Sequence, residues 1–451
     1  MKDIKLQTTG KHLSSYGGLF LARTLLDELG LGHRVVGYLP KTLKKNLDTT
    51  DKFEALLFGF ILGNDHLDDW DESNQDIAIK SVQERTFGSK CLGDYLRSFS
   101  GLDLTELRRE MINLSFLLRQ KLGFHSPRFI LDIDSSVHQQ YGRKMEGVEY
   151  CYKKHLALDS IVAFDELGLP YWHDVRPGST YTSNGCGQII HEIFARMPIQ
   201  NRKERREVRR IVRGDSGFFT SEFFNACKAK NAGFVCAAKK TDWVKDKIWR
   251  IKNWTPQNPD DPKRILTTGA RECEIGHISY HTKGYKGYLR LVVIRAKKPR
   301  EKGVIYTDYT EYDYYAFVTN MGLHEFSDVE LIKLYRERGN GENMIKEQKY
   351  GFDLKHFPCQ KLMANKAFGL IASFAYGLTR FLALSSPTKK KTKDGIKEIV
   401  HFAKKLRNRC LLIPAQVIHH AGSATFKFHY DHYREVIYWK KKVKNFQFGY
   451  S

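Results

Sequence analysis

Tyr335, Arg338, Glu342 and Lys349 follow one another at spacings of 3, 4 and 7 residues. At roughly 100° per helical residue, all four project within an arc of about 60°. One helix face would then carry an acid flanked by two cations and a phenol. A carboxylate suits a divalent metal, while cations and a phenolic hydroxyl suit phosphate oxygens. Phosphodiester chemistry is the natural use for such a set. Mixed charges three and four apart are also common on solvated helices, where each pair contributes only about 0.2–0.5 kcal/mol. The motif therefore needs partners elsewhere in the chain.

Two further acidic segments supply them. Asp132 and Asp134 lie in Arg128-Phe-Ile-Leu-Asp-Ile-Asp134, a short strand in which residues two apart face the same side. A charge amid apolar strand residues is costly unless paired, and a metal would pair it. Asp215 follows a second strand, Val208-Arg-Arg-Ile-Val-Arg213, inside Gly214-Asp215-Ser216-Gly217, where small residues permit close approach of backbone or ligand. A plainer role for Asp215 is to shape a turn or cap the helix from Thr220. Two-metal phosphoryl transfer needs carboxylates that hold two cations about 4 Å apart. An acid on a strand, one at a strand end and one on a helix meet that need.

The elements that must position these acids alternate in type. Residues 1–125 read as helical, with apolar spacing at Gly18–Leu29, Asp51–Leu62 and Leu104–Leu122; Gly123–Pro127 breaks the pattern. Residues 126–240 then run as three strands, a helix over Tyr181–Met197, a strand, a helix over Thr220–Lys230 and a strand, a mixed α/β core. Residues 241–324 read as a β-rich insertion in which Trp243, Trp249 and Trp254 are interleaved with cations. Ser327-Asp-Val-Glu330 has the pattern of a capping box and opens the helix of Glu342 within 325–385. Gly339 and Gly341 either permit close approach of a ligand or mark a break in that helix. Met363–Leu384 is a long apolar core helix. Residues 386–451 form a basic region with 15 Lys plus Arg against 4 Asp plus Glu, in which Lys389–Lys393 is expected as a flexible loop.

Composition narrows the partners. The 451 residues carry 74 Lys plus Arg against 51 Asp plus Glu, a net charge of +23. Such an excess favours polyanions, nucleic acid above all, through counterion release. An apolar fraction of 41% excludes a disordered chain. No apolar run of membrane-spanning length and no signal segment stand out, which points to a cytoplasmic protein without membrane partners. Eight scattered cysteines include no Cys-x-x-Cys, against a zinc ribbon or thioredoxin-type site. His419, His420, His429 and His432 are assigned to a half-buried, aromatic strand region rather than to a metal.

With these residues in place, the chain resembles the DDE transposases of bacterial insertion sequences, in the branch marked by a Tyr-x2-Arg-x3-Glu-x6-Lys signature. Tyr335, Arg338, Glu342 and Lys349 meet it at every position. The Arg-Gly-Asp-Ser-Gly-Phe block resembles the family's second-aspartate motif, at Asp215. The Leu-Asp-Ile-Asp block resembles its first-aspartate strand; Asp134, followed by Ser135-Ser136, matches better than the alternative Asp132. Serine stands there in place of the family's threonine.

The resemblance implies a ribonuclease-H-like core over roughly 125–385, with catalytic and metal-binding roles for Asp134, Asp215 and Glu342. Tyr335, Arg338 and Lys349 would bind phosphate. It further implies two Mg2+ ions, with Mn2+ as a substitute, and cut-and-paste movement of an element with terminal inverted repeats into target DNA. A homodimer on double-stranded DNA, located at the bacterial nucleoid, follows by the same analogy. In that branch the insertion can hold a flipped base while a DNA hairpin forms. Two other readings use the same core: a silent, domesticated repeat-binding protein, and another metal-dependent nuclease.

Overall fold

The computed structural model describes residues 8–41, 47–198, 208–257, 272–299, 310–352, 354–392 and 395–444. Arg202-Lys-Glu-Arg-Arg-Glu-Val-Arg-Arg210 is a further basic run in the sequence, and its residues 202–207 lie outside those described. In chain order the elements that matter here are helices α1 (Leu19–Leu29), α2 (Leu47–Leu62) and α3 (Gly101–Lys121), then strands β1 (Arg128–Gln139), β2 (Leu156–Asp165) and β3 (Pro170–Pro177). Helix α4 (Cys186–Arg196), β4 (Arg209–Gly214), α5 (Ser221–Ala229) and β5 (Gly233–Ala237) follow. Strands β6 (Cys273–Tyr280), β7 (Leu289–Lys297) and β8 (Tyr312–Thr319) precede α6 (Asp328–Arg336), α7 (Gly339–Gly351) and α8 (Leu362–Ser385). A ribbon of β9 (Thr388–Thr392) and β10 (Gly395–Ile399) comes next.

Across the large sheet these strands run β3-β2-β1-β4-β5-β8-β7-β6. β1 pairs antiparallel with β2 and parallel with β4, and β4 pairs parallel with β5. Parallel neighbours need crossovers, and α4 and α5 supply them. Phe129, Leu131 and Ile133 of β1 enter one apolar cluster and Ile130 another, so the strand is covered on both faces. That explains its near-continuous apolar run. The mixed α/β architecture agrees with the ribonuclease-H-like core expected.

The described strands of 241–324 join the large sheet. β8 hydrogen-bonds to β5 through Phe317–Ala237, Val318–Cys236 and Thr319–Val235, and β7 and β6 extend the same sheet. Asp242–Trp249, expected as β-rich, is helical: Thr241 caps it by accepting from the Val244 N–H at 3.3 Å. Residues 181–185, expected in a helix, are not helical, and 182–185 form a turn; the helix begins at Cys186, after Gly185 at φ +83°.

The N-terminal helices share a core with the sheet. One apolar cluster runs from Leu19 to Val443 and joins α1, α2, α3 and α8 to β1, β2 and β3. Helix α8 is apolar on every side, as a helix enclosed by protein must be. By length and composition it could cross a membrane, contrary to the expectation that no segment would, but it is almost wholly buried here. A Cβ on its Gly369 would lie 2.4 Å from the His173 ring, so glycine lets α8 sit directly on β3. The Ser327–Glu330 capping box forms as expected and starts α6, which covers the opposite face through Leu331, Ile332 and Leu334.

Two expectations fail near the C-terminus. Lys389–Thr392 is not loop but strand, paired with Gly395–Glu398. His419, His420, His429 and His432 are exposed rather than half-buried.

Candidate active site

The register of the sheet brings the first two acids together. β1 and β4 run parallel with Ile133 opposite Gly214, the last pair between them. Asp134, which still pairs with Val162 of β2, and Asp215, the first residue after β4, come next at the same level. Asp215 turns into a short 3-10 segment, Ser216–Phe218, and its carboxylate accepts the Gly217 N–H at 2.8 Å. A Cβ on Gly217 would stand 2.5 Å from Thr182 and 2.9 Å from the Asp215 carboxylate, so this turn excludes larger residues.

Asp134 accepts the Ser135 N–H at 2.8 Å and pairs with Arg338 at 2.7 Å. Burial pushes its carboxyl up, Arg338 pulls it back down, and the charge of Asp215 pushes it up again. The two aspartates therefore feel one another. Carboxylates in that relation are hard oxygen donors, suited to a shared divalent cation.

Three members of the helical motif surround this pair. The motif does not lie on one uninterrupted helix: α6 ends at Arg336, the chain tightens through Glu337 and Arg338, and α7 starts at Gly339. The glycines thus follow a break. Tyr335 packs on Phe317, with ring centroids 4.6 Å apart, and burial pushes its hydroxyl up to about 12. It stays protonated and able to donate. Arg338 is buried and its guanidinium also feels Tyr335, Asp132 and Asp215; its Nε has no hydrogen-bond partner among the described residues. Lys349 donates to the Val137 carbonyl at 3.2 Å, and Asp134 and Asp159 partly offset the burial that lowers its basicity.

Glu342 is placed differently. It lies in the first turn of α7 and is exposed. No group of three His, Cys, Asp or Glu side chains among the described residues is close enough to hold one ion. Asp134 interacts with Arg338, Tyr335 and Lys349, and Asp215 with Asp134, Tyr335 and Arg338, whereas Glu342 is exposed.

Asp132 is occupied otherwise. Arg213 reaches both of its oxygens, at 2.7 and 2.6 Å, and donates to the Leu334 carbonyl at 2.6 Å. This buried pair ties β1, β4 and α6 together beneath the site. Arg213 was not singled out in the sequence, although it stands opposite Asp132 in the register and adjoins the Gly-Asp turn.

A second buried pair was also missed. Arg176 donates through Nε to Asp159 at 2.8 Å and through Nη1 to the Asn184 carbonyl at 2.7 Å. It steadies the 182–184 turn, whose Thr182 accepts from Ser135 at 3.3 Å. Burial raises the Asp159 carboxyl to about 6, against Arg176, which lowers it. An unfolded aspartate titrates near about 3.9, so the folded state binds this proton more tightly. The resulting stabilisation is complete below about pH 4 and is lost as pH rises through about 6. In urea melts, the stability of wild type relative to Asp159→Asn should therefore fall across that window. Asp165, also raised to about 6 by burial, is present in both proteins and cancels. A difference independent of pH would refute this assignment.

The three insertion tryptophans differ in setting. Trp243 and Trp249 are exposed on the Asp242–Trp249 helix, whereas Trp254 lies under Arg295 at 4.2 Å. Beside Tyr335 opens a cleft of about 570 Å3 lined by Ser216, Lys239, Lys240, Tyr315 and Arg336.

A mixed sheet in which β1 pairs antiparallel with β2 and parallel with β4, with helices on both faces, agrees with the class of ribonuclease-H-like cores. The family described as transposase DDE domain group 1 matches residues 1–444, and the chain belongs to it. That family implies a transposase acting on DNA with a divalent metal. A comparison with curated proteins finds no match.

Proposed function

We propose that this protein cuts and rejoins DNA at the ends of an insertion sequence bounded by inverted repeats, moving the element by cut-and-paste in the bacterial nucleoid. The observation that carries the reading is the emergence of Asp134 and Asp215 side by side, with Tyr335, Arg338 and Lys349 around them. The donor set suits Mg2+, or Mn2+ in its place: hard carboxylate oxygens, and a guanidinium that already sits on Asp134 as a cation would. Asp134 and Asp215 would hold such ions and Glu342 would complete their shell, supplying Lewis acidity to the attacking and leaving oxygens.

The protein's own groups do the rest. Arg338 and Lys349 bind non-bridging phosphate oxygens, and the protonated Tyr335 hydroxyl donates to another. A water oxygen bonds to phosphorus and loses its proton as the P–O3′ bond breaks, leaving a 3′-hydroxyl and a 5′-phosphate. That hydroxyl then attacks a phosphodiester of the target, and the next O3′ departs. Positioning and charge stabilisation carry most of the rate in such transfers. Because two ends must be joined, we place a homodimer on the DNA.

Incubation of the full chain with Mg2+, labelled DNA from the borders of its coding region and a target plasmid tests the reading. Joined products are expected. Nicks without joining would instead indicate a nuclease, and binding without cutting a silent repeat-binding protein. In the same assay Glu342→Gln should lose cleavage and retain binding. Wild-type cleavage by this variant would remove Glu342 from the site.

A further inference from the structure

The β9–β10 ribbon stands apart from every other sheet among the described residues. Lys389, Lys390, Lys391 and Lys397 are all exposed on it. Alternation puts Lys389 and Lys391 on one face and Lys390 with Lys397 on the other. Lys390 and Lys397 are directly opposed across the strands, whereas Lys389 faces Glu398 at 4.0 Å. Opposed like charges destabilise a ribbon, and an isolated two-stranded hairpin is marginal to begin with. A polyanion that neutralised both faces would relieve this conflict.

The root of the ribbon is fixed, and beside the catalytic elements. Thr388 hydrogen-bonds to the buried His401 ring at 2.7 Å, and Ser386 to the Tyr438 hydroxyl at 3.3 Å. Just beyond, the Ala403 N–H donates to Glu347 of α7, and Arg407 donates to the Gly351 carbonyl at 2.6 Å. The ribbon therefore leaves the end of α8, and the segment that follows it packs on the C-terminal turns of α7, the helix that carries Glu342 and Lys349.

We infer that the β9–β10 ribbon is a DNA-binding arm, lying in a groove of the duplex that flanks the catalytic site and gripping its phosphates through Lys389, Lys390, Lys391 and Lys397. A two-stranded ribbon fits the major groove, and cations on both faces meet both phosphate walls. Lysine contacts to phosphate position the duplex without reading sequence. The inference rests on DNA being the substrate, as proposed above.

Fluorescence anisotropy of the full chain on an element-end duplex and a scrambled duplex, over a range of NaCl concentrations, tests it. Replacing all four lysines by glutamine should weaken binding to both duplexes alike. The slope of log affinity against log salt should flatten by about 0.9 for each phosphate no longer neutralised, hence by roughly 2 to 4. Replacing them by arginine should preserve the slope, which separates charge from fold. An unchanged slope in the glutamine variant overturns the arm. So does binding to phosphatidylserine vesicles that falls in this variant while DNA binding holds. A wild type without salt-dependent DNA binding would overturn the substrate reading, and the arm with it.

Discussion

Asp134→Asn and Asp215→Asn should each reduce single-turnover cleavage of element-end DNA by about a thousandfold or more, the scale at which preorganised electrostatic groups act. End binding should be nearly unchanged. Both variants should also fold: Asp134 and Asp215 are half-buried, and asparagine can keep the hydrogen bonds to Ser135 and Gly217. Arg338 makes the Asp134 result informative, because removing the carboxylate leaves its guanidinium free for a phosphate. DNA affinity should hold or rise as the rate collapses. A variant that cuts at the wild-type rate would remove its residue from the chemistry.

Arg213→Met should act on the fold instead. It strands the Asp132 carboxylate, 6% exposed, without its partner and deletes the bond to the Leu334 carbonyl. Breaking a buried pair from one side costs about 3–5 kcal/mol, and the denaturant midpoint should fall accordingly. Asp132→Asn should be milder in stability and should retain measurable cleavage, unlike Asp134→Asn. If Asp132→Asn instead folded normally and cut nothing, the two aspartates would have to exchange roles.

Much of this site was legible because it rests on strand register and short motifs. Asp132 and Asp134 stood out as acids amid apolar strand residues and Asp215 as an acid in a glycine-rich turn after a strand; the resemblance alone preferred Asp134, and the sheet's parallel register sets it level with Asp215. Tyr335, Arg338 and Lys349 were found from spacing, although the helix tightens at Arg338 and the uniform 100° rotation does not hold through it. Glu342 shows where spacing ends: shared helical phase says nothing of how α7 is set against β1.

Arg213 and Arg176 were missed because their carboxylate partners lie 81 and 17 residues away, on other strands. Only the pairing of strands reveals them. Residues 241–324 were read as an insertion because their β texture follows a complete α/β alternation. Nothing local announces that β8 will add to β5. The lysine ribbon was read as loop because repeated charge suppresses strand propensity, and the cross-strand partners that override it lie beyond a turn.

Metal ligation by Asp134 and Asp215 at the point of strand cleavage, as proposed above, is open to a direct test. Asp134→Cys and Asp215→Cys test it directly, because a thiolate ligand accepts Mn2+ far better than Mg2+. Each variant should be inactive in Mg2+ and regain cleavage in Mn2+, while Asp132→Cys should show no such preference. Equal activity in both metals, or silence in both with the fold and DNA binding intact, would contradict the account.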